Sequence, residues 1–193
     1  MDNYKHHIFA LIGRSGSGKT SLLRFAKRYL RTPKGVTTRK PREDDYDDYI
    51  FTDIDKIVQM AINDELVLLN QVYGSTFYAY KKEDFLIGDC IVVVDLVGLR
   101  QLQEVFGYDN VTGIYVECPV DIINSRKTSS SSRIAERELY DNNKFRGIFN
   151  LCDYKITNDS CIDESVDNLK SIIKEVLYDK SLLQHCHVSD RRK

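Results

Sequence analysis

The segment from Gly13 to Thr20 constrains the fold of this chain more than any other feature. It reads GRSGSGKT and satisfies the pattern G-x-x-x-x-G-K-[S/T] in full. The apolar stretch IFALI precedes it, and a pattern with one apolar stripe follows it, which predicts a strand, a loop and a helix in that order. Glycines allow backbone N–H groups to turn onto a phosphate, and the positive end of the helix dipole adds attraction. The segment therefore predicts a phosphate-binding loop.

Each residue type in this loop suits a nucleoside triphosphate. We expect Lys19 to reach the β- and γ-phosphate oxygens and Thr20 to offer its hydroxyl to Mg²⁺. A Gly/Ser-rich turn with a chance lysine is the alternative, and the flanking strand and helix patterns argue against it. The predicted ATP-binding residues of the loop are Gly13, Arg14, Ser15, Gly16, Ser17, Gly18, Lys19 and Thr20.

The rest of the chain alternates apolar runs with helical patterns. Such alternation predicts a parallel sheet covered on both faces, and hence a three-layer α/β/α P-loop NTPase fold with roughly five strands. The predicted strands are His7–Ile12, Cys90–Asp95, Val111–Val116 and Tyr154–Thr157. The predicted helices are Ser21–Leu30, Ile54–Ile62, Leu99–Phe106 and Val166–Leu177.

Charge and cysteine usage exclude several classes of protein. The formal net charge of the 193 residues is −1, from 28 basic and 29 acidic side chains, so no overall field favours a nucleic acid polymer or an anionic membrane. The five cysteines are odd in number, widely spaced and without a CxxC pair, which predicts reduced thiols and a cytoplasmic location. No apolar run approaches the roughly 18 residues of a membrane span. The polar start, Met1 to His7, does not resemble a signal peptide.

A second candidate anion site follows the phosphate loop. The segment Thr37–Arg42 reads TTRKPR. Arg39 and Arg42 are three residues apart beside Pro41, so both guanidinium groups could hold one phosphate. From these residues alone, a solvated basic loop is the commoner explanation.

The order of short motifs resembles that of the guanylate kinases, over about residues 6–178. After the phosphate loop and TTRKPR, the chain carries DYIF, YGS, DLVG, RKT and TND, with an arginine eleven residues after the one in RKT. Each block is short, and the specificity of the resemblance comes from their order and spacing. The segments are Asp48–Phe51, Tyr73–Ser75, Asp95–Gly98, Arg126–Thr128, Arg137 and Thr157–Asp159.

The resemblance implies an ATP- and Mg²⁺-dependent kinase that converts GMP or dGMP to the diphosphate. It places Arg39, Arg42, Tyr49 and Tyr73 on the phosphate of the acceptor nucleotide, and Ser75 and Asp95 on its guanine. It implies that Arg126 and Arg137 clamp the donor phosphates and the transferring phosphoryl group, and that Asn158 contacts the adenine of ATP. Together with Lys19 of the phosphate loop, the two arginines are the predicted catalytic residues.

The resemblance also implies one domain over residues 1–193. Its core would comprise about 5–32, 81–125 and 147–178. An acceptor-binding insertion would occupy about 33–80, and the insertion looks irregular in sequence. A lid would follow at about 126–146, and 179–193 would form a tail.

Three positions depart from the family pattern. Gly35 replaces a serine that contacts guanine, Leu68 replaces a glutamate that does the same, and Val93 lies where a second aspartate is common. GMP specificity is therefore in question, although Asn70 or Gln71 could substitute. Two alternatives follow: a kinase of the same fold for another nucleotide or a ribose bisphosphate, or a non-catalytic binding module. Modules of that kind have typically lost the phosphate loop, which is intact here.

Overall fold

A computed structural model describes residues 5–41, 47–72, 76–125 and 151–189. The whole predicted lid lies outside these residues. So do five of the predicted site residues, namely Arg42, Tyr73, Ser75, Arg126 and Arg137.

Strands and helices alternate along the described elements, except between residues 35 and 93, where strands also follow one another directly or through a short 3₁₀ helix. In chain order they are β1 (Ile8–Ile12), α1 (Lys19–Ala26), β2 (Gly35–Thr37), β3 (Tyr49–Phe51), α2 (Ile54–Ile62), β4 (Leu66–Val72), β5 (Thr76–Lys81), β6 (Cys90–Val93), α3 (Leu96–Phe106), β7 (Val111–Glu117), α4 (Val120–Ser125), β8 (Tyr154–Thr157) and α5 (Ile162–Ser189). Short 3₁₀ helices cover Lys82–Phe85 and Tyr108–Asn110.

The central sheet is parallel and has the strand order β6-β1-β7-β8. All five residues of β1 are buried, as are six of the seven in β7. Parallel strands covered on both faces read as continuous apolar runs, which is why the sequence predicts these strands well. The described residues supply four strands where roughly five were expected.

The chain divides into two compact units, residues 1–12 with 26–113 and residues 13–25 with 114–193. The first unit contains a second sheet, with the strand order β3-β2-β5-β4. β2 and β3 are parallel, whereas β5 is antiparallel to both β2 and β4. The segment predicted to be an acceptor-binding insertion therefore contains strands of a second sheet among its described residues, although its sequence looks irregular. Its core contains Val36, Ile57, Leu66 and Ala79, with Met60 and Phe77 packed against them.

Capping residues set where two of the helices begin. α2 has the bounds that the sequence predicts, and its N-cap Asp53 accepts a hydrogen bond from the N–H of Lys56. α3 begins three residues earlier than predicted, because Asp95 acts as its N-cap and accepts from the N–H of Gly98 at 2.9 Å. No helix within the described ranges is long and apolar enough to cross a membrane.

Candidate active site

The phosphate loop lies in the second unit and depends on its glycines. Gly16 and Gly18 have φ values of +85° and +97°, which side-chain-bearing residues rarely adopt. A Cβ atom on Gly13 would lie 2.4 Å from the carbonyl oxygen of Val116, and one on Gly18 would lie 2.1 Å from Nδ2 of Asn158. Conformation and close packing thus both require glycine in this loop.

Lys19 folds back along the loop. Its Nζ donates to the carbonyl oxygens of Gly13 at 2.7 Å and Arg14 at 2.6 Å, and the N–H of Ser17 donates to the same Arg14 oxygen at 3.1 Å. These bonds hold the ammonium group against the curved backbone of the loop. Ser17 is fully buried, whereas Ser15 is exposed.

A cavity of about 630 Å³ opens beside this loop. Its lining includes Lys19 and the exposed residue Thr20 from the first turn of α1. A threonine hydroxyl is a hard oxygen ligand of the kind that suits Mg²⁺, which is usually held by few protein groups together with substrate phosphates. Thr20 therefore fits the predicted metal contact. The other lining residues are Gly16, Gly18, Ser21, Asn158, Ser160 and Ile162.

Asn158 supports the loop from the end of β8. It is 1% exposed, and its Nδ2 donates to the carbonyl oxygen of Ser17 at 2.8 Å. Its Oδ1 accepts from Oγ of Ser165 at 3.4 Å, and its own N–H donates to the carbonyl oxygen of Glu117 at 2.8 Å. The family resemblance implies a contact of Asn158 with adenine, whereas this anchoring contact joins residues 141 apart and has no signal in the sequence.

In the first unit, Arg39 and Tyr49 lie together. The guanidinium carbon of Arg39 is 4.7 Å from the ring centre of Tyr49 and 5.4 Å from that of Phe51. Burial is the main cause that raises the pKa of the Tyr49 hydroxyl, and the nearby Tyr78 raises it further. Arg39 lowers this pKa but does not offset the other two effects. The Tyr49 hydroxyl is therefore a neutral donor beside a guanidinium group, and this pair can bind a phosphate.

Gly35 lies directly against Tyr49. A Cβ atom on Gly35 would be 2.9 Å from two ring carbons of Tyr49 and 3.9 Å from the ring of Tyr80. The glycine that replaces the family serine therefore makes room for the tyrosine ring.

Asp95, the N-cap of α3, lies next to Asn70 of β4. Nδ2 of Asn70 lies 3.5 Å from Oδ1 of Asp95, at the long end of the hydrogen-bonding range. Val93 ends β6, and its carbonyl oxygen accepts from the hydroxyl of Tyr80 at 3.2 Å. Asn70 was one of two residues that the sequence suggested as a substitute base contact.

Leu68, which also departs from the family pattern, is 5% exposed. Its φ of +60° is unusual for a leucine, and it lies where the pairing of β4 with β5 shifts by one residue. Its neighbour Leu69 is 38% exposed.

The similarity of this chain to known proteins lies in its fold and not in its overall sequence. No protein-family model matches the chain, and no curated protein matches it by sequence. Among solved structures, it is similar to the crystal structure of guanylate kinase from Anaplasma phagocytophilum. The TM-score is 0.67 at 20% sequence identity, over 89% of this chain and 86% of that one.

The chain has a guanylate-kinase-like fold. This confirms the predicted α/β P-loop class and the resemblance on which the sequence analysis relied. At 20% identity the similarity establishes the fold, while activity and substrate have to be argued from the residues themselves.

Proposed function

We propose that this protein is an ATP-dependent phosphotransferase that phosphorylates a nucleoside monophosphate, with GMP or dGMP as the first acceptor. The observation that carries the proposal is the phosphate loop. Lys19 Nζ is held on the Gly13 and Arg14 carbonyl oxygens, within a loop where glycine is required, beside a cavity of about 630 Å³. The guanylate-kinase-like fold supports a nucleotide kinase in general.

Phosphoryl transfer needs little covalent chemistry from a protein, so the residues act by positioning and by charge. Lys19 would stabilise the negative charge on the β- and γ-phosphates, and the loop N–H groups would hold the β-phosphate. Mg²⁺, with Thr20 as its protein ligand, would neutralise charge between these phosphates. Arg39 and Tyr49 would hold the phosphate of the acceptor. Arg42, Tyr73, Arg126 and Arg137 remain proposed participants outside the described residues.

A coupled assay of ADP release tests the proposal. ATP and Mg²⁺ are supplied with GMP, dGMP, AMP, CMP, UMP or ribose 1,5-bisphosphate, each in turn. Acceptor-dependent ADP release with at least one nucleoside monophosphate is the expected result. Release with the ribose bisphosphate alone would identify the other kind of kinase considered above. No release with any acceptor, from a folded protein that binds ATP, would point to a binding module.

A further inference from the structure

A β-bulge controls which way Asn70 faces. Val67 pairs with Tyr80, but Asn70 pairs with Tyr78, so β4 uses one residue more than β5 over this step. In an unbroken ladder Leu69 would lie opposite Tyr78, and Asn70 would lie opposite Phe77. Because side chains alternate between the two faces of a sheet, a slip of one residue exchanges the faces. The bulge therefore reverses the face on which Asn70 lies.

The bulge places Asn70 on the same face of the sheet as Arg39 and Tyr49, the two residues proposed to hold the acceptor phosphate. Pairing runs from Asn70 to Tyr78, then to Thr37 and Phe51, and directly paired residues share a face. Arg39 lies over the ring of Phe51 on that face, whereas Phe77 packs with the core beneath α2. Three strand spacings of about 4.8 Å separate Asn70 from Phe51, about 14 Å in all.

The bulge is also strained. A leucine is strongly disfavoured at the φ of +60° observed for Leu68, because its Cβ crowds the following carbonyl oxygen. Strain of this kind persists where the surrounding structure imposes it, and such positions cluster at ligand sites. The strained residue here lies two positions before the residue that it reorients.

Asp95 lies beside the donor side of the Asn70 amide. The NH₂ group of Asn70 faces this carboxylate, with Nδ2 as the donor 3.5 Å from Oδ1 of Asp95. Asp95 is itself held by the Gly98 N–H at 2.9 Å. The pair thus presents carboxylate acceptors next to an amide donor.

We propose that Asn70 is a specificity-determining residue of the acceptor site, donating to O6 of guanine while Asp95 accepts from N1–H and the 2-amino group. This inference rests on the proposed function and names its base. Guanine is the base with two adjacent donors next to an acceptor on one edge. Adenine, cytosine and uracil offer only one donor group beside an acceptor there. The pair would supply the base contacts that Gly35 and Leu68 do not.

Isothermal titration of GMP, 6-thio-GMP and AMP into the wild type, Asn70→Leu and Gln71→Leu tests this. Leucine is close to asparagine in size and removes both polar atoms. Gln71 is the matched control, because it pairs with Phe77 on the opposite face of the same strand. In 6-thio-GMP the N1–H and 2-amino donors of guanine are kept, and sulfur, a weaker hydrogen-bond acceptor, replaces O6. Melting temperatures check that each variant folds. If Asn70→Leu does not fold, Asn70→Asp takes its place, because it replaces the amide donor with an oxygen.

We expect the wild type to bind GMP at least about tenfold tighter than AMP, the effect of one hydrogen bond to a charged group. The wild type should bind 6-thio-GMP more weakly than GMP, because sulfur is the poorer acceptor. Asn70→Leu should lower the affinity for GMP about tenfold and leave the affinity for AMP unchanged. The variant should then bind 6-thio-GMP and GMP with equal affinity. Gln71→Leu should match the wild type. Asn70→Asp should bind GMP more weakly than AMP.

The inference is overturned if GMP shows no preference or no binding, or if Asn70→Leu affects GMP and AMP equally or not at all. The proposed function fails separately. GMP-selective binding without ADP release would overturn phosphotransfer and leave Asn70 as a base contact. ADP release by the wild type, with base selectivity unchanged in Asn70→Leu, would support phosphotransfer and overturn the role of Asn70 as a base contact.

Discussion

The side-chain amide of Asn158 donates to the carbonyl oxygen of Ser17 at 2.8 Å, which ties the end of β8 to the phosphate loop. Both residues are buried, so water cannot replace this bond. The amide nitrogen also fills the space beside Gly18. The geometry of the loop therefore depends on a residue that lies 141 positions away in the sequence.

Asn158→Leu should destabilise the protein in the absence of nucleotide. Leaving the Ser17 carbonyl unsatisfied costs about 1–3 kcal/mol, which lowers the melting temperature by roughly 2–12 °C. ATP affinity should fall with it, because the loop loses its anchor. Ser160→Ala, which also lines the cavity but is exposed, serves as the control. A normal melting temperature, with a loss confined to ATP and absent for other triphosphates, would favour the adenine contact that the family resemblance implies.

Lys19→Met should reduce phosphotransfer by at least about 10², because the preorganised charge at the transferring phosphate disappears. The methionine fills similar space, so the fold should be retained. Lys27→Met is the matched control, since Lys27 forms an ion pair with Asp48 in the other unit. ADP release and circular dichroism are the measurements. Activity of Lys19→Met within tenfold of the wild type would contradict the assignment of the loop.

The sequence predicted those elements whose signal is local. α2 has the predicted bounds because a capped amphipathic helix is visible within a few residues. β8 also has the predicted bounds, although only Ile156 of its four residues is buried. The phosphate loop was likewise recognisable from eight consecutive residues.

The second sheet was not predictable in the same way. β2 and β3 are three residues long, and β3 is not buried, so neither gives a clear periodic signal. The bulge could not be foreseen either, since a leucine in a left-handed conformation contradicts local preference. Its position is determined by pairing with β5, which is a tertiary effect. The Asn158 anchor depends on a contact across most of the chain and has no sequence signal.

Gly35→Ser should weaken acceptor binding, although it restores the residue that the family pattern carries. The new Cβ would lie 2.9 Å from the Tyr49 ring and force it to move. Overpacking of this kind typically costs about 1–3 kcal/mol. Gly35→Ala is the informative partner, because it adds the same Cβ without a hydroxyl. Equal loss of GMP affinity in both variants, measured by titration, is expected. A gain in Gly35→Ser that Gly35→Ala lacks would show that the hydroxyl can reach the base.

Leu68→Glu distinguishes the sequence-based view of the base site from the structure. Were position 68 directed at the base, the carboxylate would raise kcat/KM for GMP, as the family comparison suggests. In the structure the Leu68 side chain is 5% exposed within the bulge, so a carboxylate there would lose its hydration. We therefore expect a lower melting temperature and no gain with GMP. Leu69→Glu, at a neighbouring position that is 38% exposed, should change the melting temperature little.

The pH dependence of this variant gives an independent readout. Burial favours the neutral form of the introduced acid and so raises its pKa in the folded state above the unfolded value of about 4.3. With the folded pKa raised, the unfolded state loses its proton first as the pH rises, and stability relative to the wild type is lost from there up to the folded pKa. The difference in melting temperature between Leu68→Glu and the wild type should therefore be large at pH 7 and shrink towards pH 4. A pH-independent difference, or a wild-type melting temperature with improved GMP turnover, would instead place residue 68 in the solvated base site and contradict its burial in the bulge.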